Sequence, residues 1–390
     1  MSIEGEITIK VIINSGVTKE TLITSSRPLH IPQLFINQPV QKVAETLDSL
    51  YQLCNTAHRF AFLRLLDKCK VISLSVNEML AYQLLLDLET IREHCFSIFS
   101  KWRINDNQKI NKNMIDLLAT LKGINSTLFS VGNPLSLMDK TLQSFACIKS
   151  LVEKLKTQLT LTLIGEQFNA ETVFNNTYNF DYWIKTQSSD CAIFLHNIQQ
   201  SQFGDLGNVK TQFLPNIMPS EMTALLNDDA FIAQPSHKGI CYETTPYTRQ
   251  INNPLIQQLS AKYGTGLLSR AATQLLEIFE LMNRVKSNYT QIYSEDIQYN
   301  RRASIDATSA VVEVQAARGK LIHSLTIQDD QVKAYRILSP TQWNFHPQGI
   351  LKQMIQALSF SNKQDLVNKI TLLVNAIDPC VGYKIKVIDA

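Results

Sequence analysis

The first apolar positions of the chain alternate. Ile3, Ile7, Ile9, Val11 and Ile13 are separated by polar or charged neighbours, "NSG" at 14–16 makes a turn, and "TKETLITS" returns. Period-2 patterning on both sides of a turn predicts a β-hairpin. From about residue 38 to about 290 the period changes to three and four. The segments "VAETLDSLYQLCNTAHRFAFLRLLDKC", "EMLAYQLLLDLETIREHCFSIFSKW", "LMDKTLQSFACIKSLVEKLKTQL" and "LLSRAATQLLEIFELMNRVKSNYTQI" each read as an amphipathic helix. Between about 165 and 255, Asn, Gln, Gly and Pro become frequent, which predicts loops laid over a helical core. Alternation resumes at 310 in "AVVEVQAARGKLIHSLTIQDDQVKAYRILSP", three short segments joined by "ARG" and "QDDQ", a second small antiparallel sheet. Two further helical runs, "GILKQMIQALSF" and "KQDLVNKITLLVNAI", lead into Asp378-Pro379-Cys380. Strands at both ends and helices between predict one α+β, mainly α domain over 1–390, with its termini brought together.

Composition narrows the partners. Of 390 residues 45% are hydrophobic and 18% charged, enough to bury a large core. The net charge is only +3, and the basic spots, such as Arg301-Arg302, are isolated. Nucleic acid is therefore not an expected partner. No apolar run approaches the roughly eighteen residues of a membrane helix, and "MSIEGEITIK" does not read as a signal peptide. The seven cysteines (54, 69, 95, 147, 191, 241, 380) are odd in number, scattered, and form no CxxC pair. That usage belongs to a reducing compartment, so the expected location is the cytoplasm.

Two of these cysteines stand in unusual contexts. Cys54 opens the run "CNTAHRFAFLRLLDK", where a helix N-terminus would favour its thiolate. Cys380 follows Pro379 on backbone that the proline stiffens. A cysteine is ordinarily a small buried hydrophobe, and that reading is kept for Cys69, Cys95, Cys147 and Cys191. His58 lies four residues after Cys54 on the same helix face, close enough for a hydrogen bond to the thiol, or else a satisfied core histidine. Taken alone, Cys54 with His58 would also suit a cysteine hydrolase, although no oxyanion-hole motif or orienting third residue accompanies them.

The segments "VVEVQAARGKLIHSLTIQDDQVKAYRILSPTQWNFHPQG", "DPCVGY", "SIEGEITIKV" and "LCNTAHR" together resemble the large subunit of [NiFe] hydrogenases. In that family an Ala-Pro-Arg-Gly turn, a Pro-Thr-Thr-Trp-Asn segment and two Cys-x-x-Cys pairs surround the active site. Here each pair keeps only its first member: Ala57 and Tyr383 stand at the second positions. "RPLH" at 27–30 replaces an Arg-Gly-x-Glu motif, so His30 occupies the place of the proton-transferring glutamate. This pattern is similar to HupK/HoxV-type hydrogenase maturation proteins. The resemblance implies a non-catalytic scaffold that transiently holds an Fe(CN)₂CO unit, without nickel, before that unit enters the true large subunit. It implies Cys54 and Cys380 as iron ligands, and Arg318, Pro340 and Thr341, with His58, around the cyanides and carbonyl. A guanidinium and a hydroxyl suit cyanide, which is anionic and accepts at nitrogen. The implied partners are a small HypC-type chaperone and the immature large subunit. A metal-free assembly chaperone, or a divergent large subunit, are the alternatives. The latter is disfavoured because one thiol per site cannot both hold nickel and bridge to iron. Trp343 and Asn344 read as scaffold.

Overall fold

The computed structural model describes residues 5–51, 53–102, 112–123, 129–131, 141–142, 145–292 and 308–390. The hairpin is present as β1 (Glu6–Asn14) and β2 (Val17–Ser25), with Ile7, Ile9, Val11 and Ile13 turned inward as the alternation predicts. Next come α1 (Val40–Leu50), α2 (Asn55–Lys68), α3 (Val76–Lys101), α4 (Lys112–Gly123), the two-stranded β3 (Phe129–Val131) and β4 (Thr141–Leu142), and α5 (Phe145–Leu159). Seven short helices follow: α6 (Ala170–Val173), α7 (Thr177–Thr186), α8 (Asp190–Gln200), α9 (Pro219–Leu226), α10 (Asp229–Ala233), α11 (Pro246–Gln250) and α12 (Pro254–Tyr263). Then come α13 (Leu267–Ile292), the antiparallel sheet β5 (Thr308–Ala316), β6 (Gly319–Gln328) and β7 (Gln331–Leu338), helices α14 (Pro340–Asn344), α15 (Ile350–Gln356) and α16 (Lys363–Ile377), and β8 (Gly382–Asp389).

Four expectations from the patterning are corrected. The helical run 43–69 is two helices, because the chain leaves α1 at Leu50 and re-enters at Asn55, with Cys54 as the N-cap of α2. The run from 137 begins its described helix only at Phe145. Thr141–Leu142 is strand, and 137–140 lie outside the described residues, as do Arg301 and Arg302. The 165–255 interval is helical in short pieces rather than looped; Asn169, Asn176 and Ser189 cap three of them through side-chain oxygens. The polar residues taken for loops are therefore in part helix caps. Finally, the first sheet is more than the hairpin. β8 adds to β1 in parallel, giving the order β2-β1-β8, so the first sheet is mixed rather than antiparallel and the two ends of the described chain lie side by side.

The main apolar cluster fills the space between α2, α3, α13 and the β5-β6-β7 sheet. α3 and α13, 26 residues each, form its spine. A second cluster seals α15 and α16 onto the first sheet, and a third packs Trp343 against Phe231 and Tyr242. Among the described residues no helix is long and apolar enough to cross a membrane.

Candidate functional site

Sheet register decides what surrounds Cys380. Ile7 pairs with Ser25 on one side of β1, and Glu6 pairs with Gly382 on the other. Arg27, two residues past Ser25, and Cys380, two residues before Gly382, therefore emerge at the same end of the sheet. The Arg27 guanidinium donates through Nη1 to Cys380 Sγ at 3.0 Å and to Ser339 Oγ at 3.1 Å. Thr341 Oγ1 lies 3.0 Å from the same sulfur. Thr341 belongs to α14, a short helix that starts on Pro340 and is held by a capping box between Ser339 and Gln342.

Cys54 arrives from the opposite part of the fold. Its helix, α2, is docked on the second sheet: Arg64 donates to the Glu313 carbonyl at 2.7 Å, and Lys68 to that of Val311 at 3.1 Å. Both half-buried thiols then share one charged neighbourhood. Burial raises the proton affinity of Cys54 far above that of a free thiol. Cys380 and Glu89 add to the rise, and Arg27 and Arg318 oppose it. Burial works against the charge of Arg27, but Cys380, Cys54 and Tyr51 more than offset it and raise its pKa. Tyr51, held in the same place, is pushed up to about 12, by burial first.

The expectation that the helix N-terminus favours a Cys54 thiolate is overturned. The amides of Thr56 and Ala57, which a thiolate would use, donate instead to Glu89 at 2.7 and 3.1 Å. Glu89 is itself raised to about 7, by burial first, and its charge adds to the proton affinity of Cys54. His58 is also corrected. Its Nδ1 faces His323 Nε2 at 2.9 Å, its ring stacks on Tyr51 with centroids 3.7 Å apart, and burial lowers its pKa well below the ordinary value. It is a satisfied core histidine rather than a partner of the thiol, which removes the base that a Cys54 hydrolase would need.

Arg318 sits on the β5–β6 turn, buried, and points at carboxylates. Nη1 meets Glu93 Oε2 at 3.1 Å and Nε lies 3.2 Å from Asp378 Oδ2. Its third nitrogen, Nη2, is in neither contact. Burial is again outweighed by Asp378, Glu93, Cys380 and Cys54, so its pKa is raised. The turn is anchored from several sides. Arg249 donates to the carbonyls of Ala316 and Ala317, Asn344 Nδ2 to that of Arg318, and Thr244 Oγ1 accepts the amide of Lys320. Gly319 has φ +128°, and a Cβ there would come within 1.7 Å of the Thr244 carbonyl oxygen, so the turn needs glycine.

One face of α3 ties both halves together. Glu89, Glu93, Ser97 and Lys101 recur at every fourth residue, which aligns them along the helix. Glu89 caps α2, Glu93 holds Arg318, and Ser97 Oγ (3.1 Å) and Lys101 Nζ both meet Asp378, two residues before Cys380. Asp378, though buried, is kept below the usual carboxylate range by Arg318 and Lys101.

Arg27 and this stripe were not foreseen. The stripe had a signal, charged residues at four-residue spacing inside an otherwise apolar helix. Arg27 had none beyond its place in "RPLH". Of the other singled-out residues, Trp343 and Asn344 are buried scaffold, His30 is exposed, and Tyr383 donates to Asn375 at 2.8 Å. Cys69, Cys95 and Cys191 are buried, whereas Cys147 is exposed on α5, contrary to its assignment to the core. Among the described residues no three His, Cys, Asp or Glu side chains cluster as a metal site. Two thiols with cationic and hydroxyl donors beside them would suit a metal that brings further ligands of its own.

A family model described as nickel-dependent hydrogenase matches residues 248–383. The hydrogenase expression/formation protein HupK of Bradyrhizobium diazoefficiens is 21% identical over 99% of this chain and 97% of its own. HoxV of Cupriavidus necator, also a hydrogenase expression/formation protein, is 29% identical over 42% of each chain. HupK of Rhizobium leguminosarum bv. viciae is 40% identical over 20% of this chain and 21% of its own. Among solved structures, the Ni-Fe-Se hydrogenase of D. vulgaris Hildenborough superposes with a TM-score of 0.70 at 13% identity, covering 95% of each chain, which shows a shared fold.

Proposed function

We propose that this chain, which is similar to HupK/HoxV-type hydrogenase expression/formation proteins and to the hydrogenase large subunit, acts in hydrogenase maturation as a non-catalytic scaffold holding an Fe(CN)₂CO unit in passing. The observation that carries this reading is that Cys54 and Cys380, far apart in the sequence, come near enough in the fold for Cys380 to act on the charge of Cys54, with Arg27 and Arg318 acting on both. Low-spin iron is soft enough to favour thiolates, and two of them occupy two cis positions of one iron. Thr341 Oγ1, Arg27 and Arg318 Nη2 are the donors that would face cyanide nitrogen. With Ala57 and Tyr383 in place of further thiols, the site holds no full ligand set for nickel.

A grip of two bonds suits cargo that must move on. The source and recipient in this reading are a HypC-type iron-carrying chaperone and the immature large subunit, met at the surface around Cys380 and the start of α2. All seven cysteines are free thiols, which suits a cytoplasmic location. A second reading, a metal-free assembly chaperone, draws on the raised proton affinity of Cys54, since a protonated thiol is a poor ligand.

Infrared spectra of protein purified anaerobically from cells carrying the maturation machinery separate the two. Iron carriage predicts cyanide and carbonyl bands that vanish in Cys54→Ser and Cys380→Ser, with hydrogenase maturation reduced in both. Normal maturation with both variants, and no bands in the parent, would leave only the metal-free reading.

A further inference from the structure

We propose that Arg27 is the specificity-determining residue of the thiol pair. It is a built-in counter-cation that admits iron already carrying anionic ligands and turns away bare divalent cations. This inference rests on the iron-holding reading of the site. The Arg27 guanidinium is fixed on Cys380 Sγ and Ser339 Oγ. Its field also reaches Cys54 and Tyr51. The site's other cation, Arg318, is neutralised by Glu93 and Asp378. Among the ion pairs of the described residues none involves Arg27; its guanidinium is engaged by the Cys380 sulfur and the Ser339 hydroxyl instead of a carboxylate.

The consequence is electrostatic. A zinc-like ion bound to Cys380 sits about 2.3 Å from the sulfur. It would lie within a few ångströms of a guanidinium that is itself in contact with that sulfur. At such range, in a half-buried site, like charges repel strongly. An Fe(II) bearing two cyanides and a carbonyl has no net charge, and its cyanide nitrogens accept hydrogen bonds from cationic N–H groups. The same guanidinium therefore opposes one cargo and holds the other. A cavity of about 270 Å³, lined by apolar side chains such as Ile7 and Phe345 as well as by Arg27 and Thr341, lies on the side of these two residues, although neither thiol lines it.

The test uses the reduced full-length protein, prepared without metal, and Co(II) as the probe, read by thiolate-to-cobalt charge-transfer absorption with Zn(II) as competitor. The parent and Arg27→Lys, which keeps the charge, are expected to bind cobalt weakly. Arg27→Gln and Arg27→Met should bind it roughly tenfold tighter or more, and adding Cys380→Ser should abolish the gain. Tight cobalt binding through Cys380 in the parent would overturn the proposal. So would unchanged affinity in whichever of the two neutral variants keeps the parent's circular dichroism. No iron unit or maturation partner enters these measurements, so their failure is separable from failure of the infrared test.

Discussion

His58 and His323 are hydrogen-bonded ring to ring, Nδ1 to Nε2 at 2.9 Å, in the buried contact between α2 and β6, and Tyr335 closes the chain on His323 Nδ1 at 2.8 Å. Burial holds both rings neutral, His58 well below its ordinary pKa and His323 at about 3. A folded pKa below the unfolded value means stability that is complete above about pH 6.5 and is lost as the pH falls from there toward the folded value. Glu89 works the other way. Its pKa of about 7 lies above the unfolded value, so its contribution is complete below about pH 4.5 and shrinks as the pH rises toward 7. Between pH 6.5 and 4.5 two histidines cost what one carboxyl partly returns. Urea unfolding should show a net loss of about one proton's worth, ~1.4 kcal/mol per pH unit at most. His323→Leu should flatten this slope and Glu89→Gln should steepen it; slopes unchanged by both would refute the assignment.

Arg318→Met should leave Glu93 and Asp378 buried with only Arg92 and Lys101 as cationic partners. Uncompensated buried charge costs about 3–5 kcal/mol. The expected outcome is a loss approaching that order in urea unfolding at neutral pH, since Arg92 and Lys101 still meet one oxygen of each carboxylate. Arg318→Lys should lose less. A Met variant as stable as the parent would show that the ion-pair network does not hold the site.

Glu89 both caps α2 and disfavours the Cys54 thiolate. Glu89→Gln removes the charge but keeps an acceptor, so Cys54 should alkylate several-fold faster at pH 8, followed residue by residue by mass spectrometry. Glu89→Ala should do the same and also cost about 1–2 kcal/mol, because the Thr56 and Ala57 amides lose their acceptor. An alkylation rate for Cys54 unaffected by either change would mean that Glu89 does not control the thiol.

The patterning along the chain determined the hairpin, the β5-β6-β7 sheet and the long helices, because each depends on periodicities of 2 or 3.6 within a few neighbouring residues. α13 begins and ends where the apolar stripe 267–292 does. Residue types at motif positions also pointed to Cys54, Cys380, Arg318 and Thr341 as neighbours. Tertiary structure decided what those residues touch. Nothing local in "DPCVGYKIKVIDA" says that its last strand lies parallel to β1, yet that register sets Arg27 against Cys380. Whether the N-terminus of α2 favours a thiolate depends on a carboxylate from α3, 33 residues from Thr56, and whether His58 serves the thiol depends on a histidine 265 residues away. Local periodicity selects an element and its buried face. Charge and hydrogen bonding at a site are set by whichever side chains packing brings within about 3–4 Å, and these come from distant segments.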